Sequence, residues 1–132
     1  MSKPVFYPVL TYRDPAEAIQ WLGRAFGFAE HFVARDEAGK PVHVELVFEG
    51  GIVMLGAVNP ELGMASPAKE PQAAQTIYVA VPDPDVHHDR AKAAGATITM
   101  SLRDTDYGSR DYGAQDYEGH RWFFGTYRPE VK

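Results

Sequence analysis

The chain has 132 residues, no cysteine and a formal net charge of −5, with 45% hydrophobic and 23% charged residues. That length supports one domain with one core, and the lack of cysteine excludes disulfides, thiolate metal sites and cysteine nucleophiles, which points to a reduced, cytoplasmic setting. The negative balance argues against a nucleic-acid partner; no run reaches the ~18 apolar residues of a membrane span, and Met1 to Pro8 lacks the basic and apolar regions of a signal peptide.

In chain order, a β-type run at 4–12 leads into Asp14-Pro15, a physical start signal for a helix. The Asp carboxylate accepts free N–H groups, and Pro at the first helical position has no N–H to lose. Ala18, Ile19, Leu22, Ala25 and Phe26 then recur at helical spacing, and Gly27 closes the segment. Three strands follow, at about 29–36, 41–49 and 51–58, with "RDEAGKP" (35–41) and Glu49-Gly50 as hairpin turns. "NPELGMASPAKEPQ" (59–72) holds three prolines and no strong periodicity, so a linker is expected over 59–73.

The same order then recurs. A run at 75–82 precedes Asp83-Pro84, a shorter and more polar helix closes at Gly95, and strands are expected at 97–102, 111–116 and 120–127. Asp14 and Asp83 stand 69 residues apart (83 − 14), as do Gly56 and Gly125 (125 − 56), so "EGGIVMLG" (49–56) and "EGHRWFFG" (118–125) are copies of one element. The chain is an internal duplication: one domain of two repeats, about 4–58 and 74–128. "RDTDYGSRDYGAQ" (103–115), rich in Asp, Gly and Tyr, is expected to be a long loop.

The tandem strand–helix–three-strand pattern, with the tail "YGSRDYGAQDYEGHRWFFGTY" (107–127), resembles the glyoxalase/bleomycin-resistance/dioxygenase (vicinal oxygen chelate) superfamily, and its small bacterial glyoxalase-like proteins in particular. The resemblance covers nearly the whole chain. It implies an α+β fold: tandem βαβββ modules forming a curved mixed sheet around a cleft, helices on the outside, in a homodimer. In the metalloenzymes of this superfamily each module gives one ligand from its first strand and one from its last. Carried onto this sequence, those positions are Tyr7 and Thr76, and Met54 and Phe123. A divalent metal of this class takes imidazole nitrogen or carboxylate oxygen. These four residues offer neither, so no metal or other cofactor is expected.

By period two, Ile52, Met54 and Gly56 share one face with Arg121, Phe123 and Gly125 of the second copy; the opposite face, with Trp122, belongs to the core. The function this implies is metal-independent binding of a small, partly aromatic molecule in the inter-module cleft, as in drug-sequestering relatives. Tyr7, Met54, Thr76, Tyr78, Arg121 and Phe123 would line the site, with Tyr107, Arg110 and Tyr112 in a lid over it. Two alternatives stand beside it. One is an enzyme, a lyase, isomerase or dioxygenase with an unorthodox metal site at His43, Glu45 or His120, or a metal-free acid–base catalyst using Tyr or Glu. The other is a structural dimer with a filled cleft. His87 and His88 read as helix surface, His31 has no visible partner, and Trp21 lies out of phase with Leu22 and Phe26.

Overall fold

Both Asp-Pro signals open helices in the structure, a computed structural model that describes residues 4–67 and 75–130. Asp14 caps α1 (Pro15–Phe26) by accepting the N–H groups of Ala16 and Glu17, and Gly27 closes it with φ 84°. Asp83 accepts from Val86 N–H to cap α2 (Pro84–Ala93). Here Ala94 holds the C-cap and Gly95, φ 98°, follows it.

The chain divides into two compact units, Met1–Ser66 and Pro67–Lys132. In the first, β1 (Val9–Tyr12) precedes α1, and β2 (Ala29–Arg35), β3 (Pro41–Phe48) and β4 (Gly51–Ala57) follow it. The sheet order is β1-β4-β3-β2, with β1 parallel to β4 and the other pairs antiparallel. The second unit repeats the plan with β5 (Ile77–Ala80), α2, β6 (Thr97–Asp104), β7 (Arg110–Gln115) and β8 (Arg121–Gly125), in the order β5-β8-β7-β6. The fold class is therefore the expected α+β arrangement of two βαβββ modules, each with a four-stranded mixed sheet and one helix. No helix among the described residues is long and apolar enough to cross a membrane.

The helix-facing side of each sheet carries the core. Val44, Leu46, Val53 and Leu55 are buried with Leu22, Ala25 and Phe26 in the first unit. Trp21 belongs to this core as well, 7% exposed and edge-on to Phe26 at 5.3 Å. In the second unit Tyr112, Trp122 and Phe124 are fully buried; Tyr112 and Phe124 stack at 5.2 Å. His87 is buried against them, its Nδ1 2.5 Å from the Tyr112 hydroxyl and its ring 4.3 Å from Phe124. The surface position expected for His87 is thus corrected: its helical phase turns it to the sheet.

Three further expectations change. The run 4–12 forms a ladder only over Val9–Tyr12, because Pro4 and Pro8 have no N–H to give. The expected linker contains a short 3₁₀ turn, Pro60–Leu62, and an Asn59–Met64 bridge; residues 68–73 of it lie outside the described residues. The largest change is at 103–115. It is a hairpin, not a long loop: β6 runs to Asp104, β7 starts at Arg110, and only the turn around Gly108 (φ 89°) separates them.

The two sheets are not in constant offset. Val9 pairs with Met54 and Tyr78 with Phe123, both obeying the 69-residue spacing. In the third strand, however, His43 faces Gly56 while Asp111 faces Gly125. That spacing is 68 (111 − 43). The first unit carries an extra residue at the start of β3, where the register shifts between Ala34 and Arg35. The second unit recovers it in the turn before β8, where Asp116 to His120 replaces the tight Glu49-Gly50 turn.

Candidate functional site

Neighbours across a ladder point to the same face, so the register defines the open face of the second sheet. Phe123 of β8 pairs with Tyr78 of β5 and Gly113 of β7; Gly113 pairs with Met100 of β6. One step along, Gly125 pairs with Asp111, and Asp111 with Arg103. Tyr107 from the β6–β7 turn and Tyr127 with Pro129 from the tail complete a pocket of about 420 Å³. That volume falls within the range of small-molecule sites.

Two glycines make room for it. A Cβ at Gly113 would press on the Phe123 ring, and a Cβ at Gly125 would overlap the Asp111 carboxylate. Asp111 is 8% exposed. Its Oδ1 accepts from Ser109 Oγ at 2.5 Å, and its Oδ2 accepts from the Tyr107 hydroxyl at 3.3 Å. The Tyr78 hydroxyl donates to the Tyr127 carbonyl at 2.7 Å, and the Tyr107 and Tyr127 rings meet edge-on at 5.8 Å. Burial pushes the Tyr78 phenol above its ordinary value of 10.0, and the nearby Asp111 charge adds to this against a hydrogen bond with Ser109. Tyr78 therefore stays a neutral O–H near pH ~7.

Of the residues singled out from the sequence, Tyr78, Phe123 and Tyr107 meet in this pocket. Thr76 is exposed just before β5, and Arg121 lies on the Phe123 side of β8 by period but outside the pocket lining. Tyr7 and Met54 belong to the first unit; the Tyr7 hydroxyl donates to the Pro4 carbonyl. Arg110 and Tyr112 do not form a lid. Their phase on β7 turns both to the helix side, where Arg110 binds both oxygens of Asp85, at 2.6 and 3.2 Å, and reaches Asp104 at 3.2 Å. Tyr112 is fully buried there, and burial pushes its phenol far up.

Met100, Arg103, Asp111 and Tyr127 were missed. A signal existed: Asp111, Gly113 and the small side chain of Ser109 alternate by two, as a strand face does. The Asp/Gly/Tyr composition masked it.

In the first unit, a bulge in β2 between Glu30 and Phe32 leaves His31 as the extra residue. It comes within 3.1 Å of Glu45 Oε1, while His43 Nε2 sits 3.0 Å from Oε2. His31 thus has a partner that its sequence position did not reveal. Hydrogen bonds with His43, then His31, hold the Glu45 carboxyl below its ordinary value of 4.5.

The chemistry of the donors decides whether the metal of the related enzymes fits. The first-strand positions expected at Tyr7 and Thr76 fall before the ladders, and the residues paired with Met54 and Phe123 are Val9 and Tyr78. These four supply two apolar side chains, a thioether and a neutral phenol, which suit no hard or borderline divalent ion. Among the described residues no group of three His, Cys, Asp or Glu side chains is placed to hold a metal.

The family profile described as the Glyoxalase/Bleomycin resistance protein/Dioxygenase superfamily matches residues 5–124. An uncharacterized protein of Mycobacterium bovis is 32% identical over 132 residues, covering 98% of this chain and 87% of its own. The crystal structure of TioX from Micromonospora sp. ML1 is similar over 98% of this chain and 100% of that one, with 32% identity and a TM-score of 0.76. A family enzyme from Burkholderia phytofirmans shares the fold at a TM-score of 0.68, with 19% identity over 90% of this chain and 94% of its own.

Proposed function

Because this chain belongs to the glyoxalase/bleomycin resistance protein/dioxygenase superfamily, and its last-strand positions hold Met54 and Phe123, we propose that it binds a small, partly aromatic molecule without a metal. The observation that carries this reading is the pocket of about 420 Å³ on the open face of the second sheet, floored by Phe123 and walled by Tyr78, Tyr107 and Tyr127. Aromatic rings bury large area and stack on flat ligands, and tyrosine adds a polar tip. Tyr78, Tyr107 and Phe123 are the contacts, joined by Met100, Arg103, Asp111 and Tyr127.

The test is a calorimetric or melting-shift screen of aromatic small molecules against the purified protein. A ligand found this way should bind Phe123→Ala more weakly by about 10–100-fold, from ~1.5–3 kcal/mol of lost apolar contact. Chelator treatment should change neither affinity nor stability. Activity abolished by chelation and restored by a divalent ion would overturn the reading in favour of a metalloenzyme. A second reading has one observation behind it: the His31–Glu45–His43 group of the first unit has the makings of a proton-transfer centre. Turnover lost in His43→Gln and retained in Phe123→Ala would favour it.

A further inference from the structure

We propose that the pocket of the second unit selects a cationic ligand, an aromatic molecule bearing an ammonium or amidinium group that seats against Asp111. This rests on the binding reading above and names the chemistry of its ligand. A carboxylate taken out of water ordinarily carries a cationic partner or several N–H donors. Asp111 has neither. It is 8% exposed, and its side-chain donors are two neutral hydroxyls, Ser109 Oγ on Oδ1 and Tyr107 on Oδ2, the latter long at 3.3 Å.

The omission is conspicuous because a cation stands within reach. The ladder sets Arg103 directly across from Asp111, yet the two form no ion pair, and the Arg103 residue is exposed at the pocket's edge. The Asp111 charge is therefore left for something that enters. What surrounds it favours a positive centre. Four aromatic rings, Tyr78, Tyr107, Phe123 and Tyr127, line the same space, and ring faces attract cations. Tyr107 and Tyr127 are set edge-on to each other, and the Tyr78 hydrogen bond to the Tyr127 carbonyl fixes the tail against the sheet. Gly125 completes the arrangement, since any side chain there would displace the carboxylate.

An anionic ligand would meet the reverse: a fixed buried charge of its own sign, offset only by the solvated Arg103. Charge-assisted hydrogen bonds are roughly twice as strong as neutral ones, so charge should dominate selection among ligands of equal shape.

The experiment uses three probes of one shape, 2-(2-naphthyl)ethylamine, 2-(2-naphthyl)ethanol and 2-naphthylacetic acid, titrated into the full chain at pH ~7, where the amine is charged and the acid ionised. The amine should bind at least about tenfold more tightly than the alcohol, and the acid more weakly than either. In Asp111→Asn, which keeps an acceptor for Ser109, amine and alcohol should bind within about twofold of each other. Arg103→Ala removes a like charge from the pocket's edge and should raise the amine's affinity. The selectivity within the unaltered protein is measured independently of any variant, so a failure of Asp111→Asn to fold does not remove the test. Equal binding of amine and alcohol would overturn the cation assignment and leave the binding reading standing. Tighter binding of the acid, lost in Arg103→Ala, would replace it with an anion site. Binding of none of the three at millimolar concentration would count against both.

Discussion

Gly125 and Asp116 show how far single residues settle the second unit. Gly125 lies beneath the Asp111 carboxylate and close to the Tyr78 hydroxyl. Gly125→Ala forces Asp111 out of its bond with Ser109, and overpacking of this kind costs about 1–3 kcal/mol. Urea denaturation should register that loss, and ligand affinity should fall with it; an unchanged midpoint would contradict the close approach. Asp116 is 2% exposed and works differently. Its Oδ1 accepts the N–H groups of Glu118, Gly119 and His120, and its Oδ2 accepts the indole N–H of Trp122. The most recognisable part of the tail, Asp116 through Trp122, therefore builds a turn and pins a core ring. Asp116→Ala strands several buried donors at about 1–3 kcal/mol each. It should lower stability by about 3 kcal/mol or more in chemical denaturation, with the Trp122 emission moving toward that of exposed indole.

At the scale of elements, the helices and last strands were legible in the sequence and the third strand was not. Asp-Pro starts act locally, through a carboxylate and a missing N–H, so they read without tertiary context. Last strands declared their phase by alternation, and Trp122 and Phe124 are buried as that phase requires. For β7 the constant spacing failed by one residue. Carried through at 69, it would set Tyr112 where His43 stands in the first copy; the observed spacing sets Asp111 there instead. A one-residue shift exchanges the faces of a strand, so Tyr112, expected in a lid because 103–115 read as a loop, lies in the core and Asp111 lines the pocket. The bulge at His31 was hidden for the same reason: nothing in residues 29–35 marks an extra residue. Its consequence is measurable. The folded-state pKa of Glu45 is depressed, so the stabilisation it gives is present above about pH 4.5 and is lost as pH falls through the folded value. The melting temperature of the protein should exceed that of Glu45→Gln at about pH 6, and the difference should shrink as pH falls below about 4.5 and through the folded value.

For the molecule as a whole, family and fold class were readable because duplication makes each module a check on the other. The pocket was only half readable, because Met100, Arg103 and Tyr127 reach it through pairings and a tail that no local pattern announces. Assembly is the remaining expectation at this scale. The outer strands are β1 and β2 in one sheet and β5 and β6 in the other, and Phe6 and Val9, at and before β1, are 91% and 51% exposed. Sheet edges with apolar neighbours, unpaired among the described residues, invite a symmetric partner. Light scattering at micromolar concentration should give twice the chain mass, and replacing Phe6 and Val9 by Lys should return it to the monomer value; a monomer in both cases would refute the dimer. The compensated slip in the third strand has a meaning for descent. One more residue before the third strand in the first unit and one more before the last strand in the second set Asp111 rather than Tyr112 on the pocket face, while the first and last strands kept their 69-residue spacing. Both changes fall beside turns, where length is cheaply altered. A gene carrying two copies of this module can thus diversify what one copy recognises by small insertions and deletions, without waiting for several coordinated substitutions and without risking the fold held by the other copy.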